Sequence, residues 1–230
     1  MASHLDLEEQ EQLDQLKAFW KRYGNLITWG LTLVLAGYAS WMGWNWWQRD
    51  QAVKAAAMYD QLDRAVLAVD ADKAGRIFTD LKERFPRTSY AAQAALQAAK
   101  LQHDKGQLDV AQASLTWAAD NAAEAEYRDI ARLRLSGMQL DAKQFEAAGK
   151  TLDAIKSPDF AALQADRRGD LLMLQDKPDL ARAEYQKALA AMDKAQDYRR
   201  LIEAKLASLG VATAEANAQA TALPANGASK

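Results

Sequence analysis

The pattern of apolar and polar positions divides this chain into four stretches. Residues 1–25 are polar and mostly acidic at first, and from Leu26 to Trp47 the chain reads LITWGLTLVLAGYASWMGWNWW. No charged residue falls between Arg22 and Arg49. As a helix, Leu26–Trp47 extends about 33 Å, enough to cross a hydrocarbon core of about 30 Å. Tyr23 and Trp29 near one end, with Trp44, Trp46 and Trp47 at the other, suit the headgroup level of a bilayer. Residues 48–210 instead show apolar positions at three- and four-residue intervals, the spacing of amphipathic helices. From 211 to 230 the chain is mainly Ala, Thr, Asn and Gln. Too little there can be buried to offset chain entropy, so a disordered tail is expected.

A buried core helix and a cleaved signal peptide are the two competing readings of the span. Cations flank the uncharged run on both sides, which disfavours the core helix. The preceding residues include Asp6, Glu8, Glu9, Glu11 and Asp14, unlike a short basic leader, and the apolar run continues past the small residues Gly37 and Ala39. An uncleaved anchor fits both observations. Lys17, Lys21 and Arg22 before the span slightly outweigh Arg49 and Lys54 after it, a small bias towards an inside N-terminus.

The third stretch repeats. Ala74/Phe78/Leu81, Ala111/Leu115/Ala118, Ala148/Leu152/Ile155 and Ala181/Tyr185/Ala188 share one pattern, at intervals of 37, 37 and 33 residues. These intervals bracket the 34-residue period of tetratricopeptide repeats. Residues at i, i+4 and i+7 share a helix face, where the small residue admits a neighbouring helix and the large one fills the space beyond. Gly106 reads as a turn before a second helix, Phe85-Pro86 as a helix stop, and Thr88 or Ser89 as the next cap. The expectation is all-α: an N-terminal transmembrane helix followed by a tetratricopeptide-like solenoid. A juxtamembrane helix over 7–22 joins the span, which continues as helix to about residue 69. Helical pairs follow over 52–86, 88–120, 123–156 and 159–193, and a helix over 198–209 caps the stack.

Composition narrows the function. A net charge of −2 gives no basic footprint for nucleic acid. The absence of cysteine excludes disulfides and thiolate metal sites, and His4 and His103 are too far apart in sequence to suggest a metal site. No phosphate loop, dinucleotide fingerprint or hydrolase motif occurs, so neither catalysis nor a cofactor is expected. Asp166 and Asp170 put two carboxylates on one helix face. With Arg167 and Arg168 between them and no nucleophile nearby, they read as a solvated face, or as partner contacts.

Partner contacts are expected on two surfaces. The first helices of the pairs would line the concave side of a solenoid, where Gln93, Gln97, Lys100 and Asp104 form a polar stripe opposite the alanines of their helix. In the span, Gly30, Gly37, Ser40 and Gly43 offer close-approach positions to another membrane helix.

Two passages carry a family resemblance: EEQEQLDQLKAFWKRYGNLI (Glu8–Ile27) and LDAIKSPDFAALQADRRGDLLMLQDKPDLARAEYQKAL (Leu152–Leu189). The chain resembles the YfgM-type ancillary subunits of the bacterial Sec translocon over about residues 7–209, including an Arg168-Gly169-Asp170 turn. Asp176 stands where a glycine is more usual. The resemblance implies a non-enzymatic scaffold in the inner membrane, with residues 1–25 cytoplasmic and 48–210 periplasmic. It implies association with the SecYEG channel and with the membrane-anchored chaperone PpiD. A repeat scaffold for envelope assembly or cell division is the alternative.

Overall fold

The computed structural model describes residues 7–193 and 197–211. The chain separates into two compact units, Met1–Val53 and Lys54–Lys230. Their described residues form nine α-helices and one short 3-10 turn, Pro158–Phe160.

Among the described residues, the first unit is a helix with no packed core. Helix α1 (Leu7–Leu67) runs without a break through the expected juxtamembrane helix and span. It contains a stretch long and apolar enough to cross a membrane, none of it buried in the protein. Side-chain hydroxyls there bond to their own helix: Thr28 donates to the Gly24 carbonyl, Thr32 to Thr28 and Ser40 to Ala36, each at 2.8 Å. A spanning helix must satisfy its polar groups internally, and these do. The rings of Trp44 and Trp47 lie 5.4 Å apart.

The second unit begins with the last turns of α1, whose Ala55, Leu62 and Ala65 are buried. They pair with α2 (Ala71–Arg84). Three further pairs follow: α3 (Ser89–Asp104) with α4 (Leu108–Asn121), α5 (Ala125–Asp141) with α6 (Phe145–Asp153), and α7 (Ala161–Leu174) with α8 (Pro178–Ala191). Helix α9 (Tyr198–Ser208) packs on α8. All twelve residues of the repeated pattern are buried, none more than 4% exposed. They lie on, or just past the end of, the second helices of the pairs. In α3, six alanines (91, 92, 94, 95, 98 and 99) are at most 2% exposed, so neighbouring helices approach it closely. Thr88 is the cap of α3 and accepts from the Ala91 amide. Across the repeats, α3 touches α5 and α5 touches α7, so these first helices lie side by side.

A backbone feature repeats with the same period. Val69, Gly106, Lys143, Asp176 and Gly210 all have φ between 55° and 77°, at intervals of 37, 37, 33 and 34 residues. Each ends a first helix. The next amide (Asp70, Gln107, Gln144, Lys177 or Val211) then donates to the carbonyl five residues back, at 2.7–3.1 Å. This is the Schellman closure, which satisfies carbonyls left free at a helix end. Asp176 therefore takes up the left-handed turn a glycine would usually supply. Gly210 extends the series, so α9 holds the register of a first helix. The positions continuing the buried pattern would be Glu215, Gln219 and Ala222, which lie outside the described residues.

One expectation changes. Arg168-Gly169-Asp170 is no turn; it lies inside α7, where Gly169 makes room for the Tyr185 ring. The expected disordered tail lies outside the described residues except for Val211, which packs against the core beneath α9.

Candidate protein-binding face

Two depressions lie on the first-helix side of the second unit. One, of about 390 Å³, is lined by Lys100 and His103 of α3 and by Arg134, Gly137, Met138 and Asp141 of α5, among others. The other, of about 260 Å³, is lined by Ile130, Leu133 and Arg134 of α5, Phe160, Leu163 and Arg167, and Tyr198 of α9. Arg134 belongs to both. Its guanidinium donates to the Leu96 carbonyl at 3.2 Å, which holds it across α3 and α5.

The stripe expected on α3 is only partly open. Lys100 and Asp104 are exposed and paired at 3.4 Å. His103 lies 3.7 Å from Asp104. Gln97 is half-buried and donates to the Tyr59 hydroxyl, and Gln93 is half-buried. Burial raises the Tyr59 pKa, with Asp63 and Tyr127 adding to the effect and the Gln97 bond opposing it. The Tyr59 ring also meets Tyr90 at 5.6 Å. Of the four residues, Lys100 is the one that lines a depression.

Asp166 and Asp170 sit elsewhere, and the solvated face expected for them is replaced by an internal network. Asp166 is fully buried and accepts from the Tyr198 hydroxyl and from Lys205 Nζ, both at 2.7 Å. Asp170 accepts from Lys205 Nζ at 2.6 Å, from the Tyr185 hydroxyl at 2.8 Å and from Arg167 at 3.1 Å. Burial, then the bond to Asp166, pushes the Tyr198 pKa up to about 12. Burial and the bond to Asp170 push Tyr185 still higher. These groups tie α9 to α7 and α8. A buried carboxylate needs such partners, because leaving it unpaired costs several kcal/mol.

A second internal clasp involves Asp129, which is 2% exposed. It accepts from Arg132 at 2.8 Å and from the Ser157 amide at 3.0 Å. Arg132 also donates to the carbonyls of Ala154 and Ala119, linking the ends of α6 and α4 to α5.

In the first unit, a Cβ added at Gly30, Gly37 or Gly43 would meet nothing within 4 Å. The Ser40 hydroxyl is already bonded within its own helix. Among the described residues, no group of His, Cys, Asp and Glu could hold a metal ion.

Residues 17–211 match the tetratricopeptide repeat-like domain family. The chain is 31% identical to the ancillary SecYEG translocon subunit of Neisseria gonorrhoeae, over 91% of this chain and 100% of that protein. It is 32% identical to the Escherichia coli protein of the same description, over 77% of this chain and 85% of that one. The Haemophilus influenzae counterpart is 29% identical over 79% and 89%. The chain belongs to the family of ancillary SecYEG translocon subunits. No solved structure gives a significant match.

Within this translocon-subunit family the repeat is a non-enzymatic scaffold, and the register explains which surface residues sequence reading missed. Shifting Gln97 by the repeat intervals gives Arg134 and then Arg167, and shifting Tyr90 gives Tyr127 and then Phe160. A cationic row and an aromatic row were therefore present in the repeat once its phase was known. Lys205 and Tyr198 carry no comparable signal, since nothing in their spacing places α9 beside Asp166.

Proposed function

We propose that this chain is an inner-membrane scaffold that associates with the SecYEG translocon and recruits a folding partner through its repeats. The observation that carries the reading is the match to the gonococcal translocon subunit across all of that protein's length. The architecture supports it: a helix with a stretch able to cross a membrane, followed by stacked helical pairs with an open first-helix face. In this reading residues 1–25 are cytoplasmic, 26–47 span the bilayer and 48–210 fold in the periplasm. The partner on the far side is a membrane-anchored periplasmic chaperone such as PpiD. Gly30, Gly37, Ser40 and Gly43 form the seam towards another membrane helix, and Lys100 with Asp104 marks the partner face of the repeats.

A reporter active only outside the cytoplasm, fused after Leu209, should be active, while the N-terminal stretch resists protease added from outside. Replacing Leu26–Trp47 with an unrelated spanning helix should weaken copurification with SecYEG and leave the repeats folded. An inactive reporter beside an accessible N-terminus reverses the topology. Undiminished channel copurification after the exchange removes the seam. Charge reversal at Asp170 is a test of folding, because it would set a cation against Lys205. Lys100→Glu probes the partner face without touching that network.

A further inference from the structure

We infer that the depression between α5, α7 and α9 receives an acidic segment of a partner protein, seating one large apolar side chain beside carboxylates held by Arg134 and Arg167. The inference rests on the scaffold reading above and specifies the chemistry of its repeat face. The smaller depression has an apolar and aromatic wall, Ile130, Leu133, Phe160, Leu163 and Tyr198, and two guanidiniums. No carboxylate lines it. Arg167 shares its charge with Asp170, whereas Arg134 has no carboxylate partner among the described residues and bonds only the Leu96 carbonyl. The Tyr198 hydroxyl is already committed to Asp166, so the ring offers its apolar body to the depression.

A space of about 260 Å³ suits one side chain better than a whole small-molecule ligand, whose sites usually run to roughly 300–1,000 Å³. The larger depression lies on the other side of Arg134, between α3 and α5, so Arg134 stands between the two. A peptide lying along the face would place its apolar side chain against Leu163 and Phe160. Carboxylates on the adjoining residues would then lie between Arg167 and Arg134, and the next outward side chain would reach Met138 and Lys100. Guanidinium forks bind carboxylates bidentately, so the arginines set orientation while the apolar wall sets depth.

The test uses the full-length chain in mild detergent and a fluorescein-labelled twelve-residue peptide with one phenylalanine flanked by glutamates. Fluorescence anisotropy should show at least tenfold tighter binding of this peptide than of its lysine-for-glutamate counterpart, and the affinity should fall as salt is raised. Phenylalanine-to-serine exchange in the peptide should cost at least tenfold. Arg134→Glu should weaken the acidic peptide at least tenfold and reverse the charge preference, with the thermal melt unchanged. If Arg134→Glu fails to fold, Leu163→Asp and the charge preference of the unaltered protein decide the matter. Equal binding of acidic and basic peptides overturns the inference. So does an affinity unmoved by Arg134→Glu in a folded protein. Copurification from membranes separates the two levels of argument. SecYEG association that persists while the peptide fails sinks this inference alone, and loss of every membrane partner from the unaltered chain sinks the scaffold reading.

Discussion

The ring of Tyr185 occupies the space where a side chain on Gly169 would begin, and a Cβ built there runs into Cε1 of that ring. Helices α7 and α8 approach this closely because the position carries no side chain, and the same approach lets the Tyr185 hydroxyl reach Asp170. Gly169→Ala should therefore destabilise the repeat domain by about 1–3 kcal/mol, the usual cost of overpacking. Gly137→Ala is the control, since an added Cβ there meets nothing within 4 Å. It should be neutral or stabilise by up to about 1 kcal/mol through helix propensity. Urea unfolding of the two variants, side by side, checks the contrast.

Ala148 is fully buried at the close contact of α6. Ala148→Trp should lower stability by several kcal/mol, beyond the roughly 1–3 kcal/mol of ordinary overpacking, because tryptophan is an extreme insertion. Truncation after Val211 should leave the melt nearly unchanged. Thermal melts in the reverse order would show that the repeat phase is misassigned.

The five left-handed turns differ in the residue that holds them. Val69 is β-branched at φ 55°, a conformation that is costly for such side chains. Val69→Gly should stabilise the domain by about 1 kcal/mol, and Lys143→Gly and Asp176→Gly by less. Gly106→Ala should destabilise by a similar amount. Chemical denaturation of the four variants gives the order, and a loss of stability in Val69→Gly contradicts the strain at that turn.

Much of this fold is legible in the sequence because burial there is periodic. Ala74, Ala111, Ala148 and Ala181 announce their helices at nearly equal intervals of 37, 37 and 33 residues, and every one is fully buried. The face was harder to read. Gln93, Gln97, Lys100 and Asp104 are on the correct helix, yet helical spacing alone does not reveal that Gln97 bonds Tyr59 or that Arg134 lies across both depressions. Asp166 was the hardest. A carboxylate next to two arginines reads as surface, and its burial depends on Lys205 and Tyr198, which are distant in sequence and carry no repeat signature.

The alkaline side of the stability curve should report the network on α7. Tyr198, with its pKa at about 12, and Tyr185 keep their protons in the folded chain when an unfolded tyrosine has begun to lose its own. A raised folded pKa means that this contribution is complete below about pH 10 and disappears as pH rises through the folded values. The unfolding free energy should fall between about pH 10 and 12, more steeply in the wild type than in the Tyr185→Phe/Tyr198→Phe double variant. Parallel slopes would show that neither phenol is coupled to folding.

Lys205→Met should cost about 3 kcal/mol near neutral pH, because it leaves Asp166 buried and Asp170 half-buried without their shared cation. Combined with Asp166→Asn, the loss should be smaller than the sum of the two single losses by more than about 1 kcal/mol. Additive losses, read from urea midpoints, would mean that the ion pair does not couple α9 to α7.

The position of that lysine has a consequence for how the domain is made. Asp166 and Asp170 precede Lys205 by 39 and 35 residues. A polypeptide is synthesised from its N-terminus, so both carboxylates leave the ribosome well before their counter-charge does. The first three pairs can close as they emerge, whereas the fourth waits for α9. A nascent chain that ends short of residue 205 leaves Asp166 and Asp170 without their shared cation. Synthesis as far as Lys205 is thereby checked by α9.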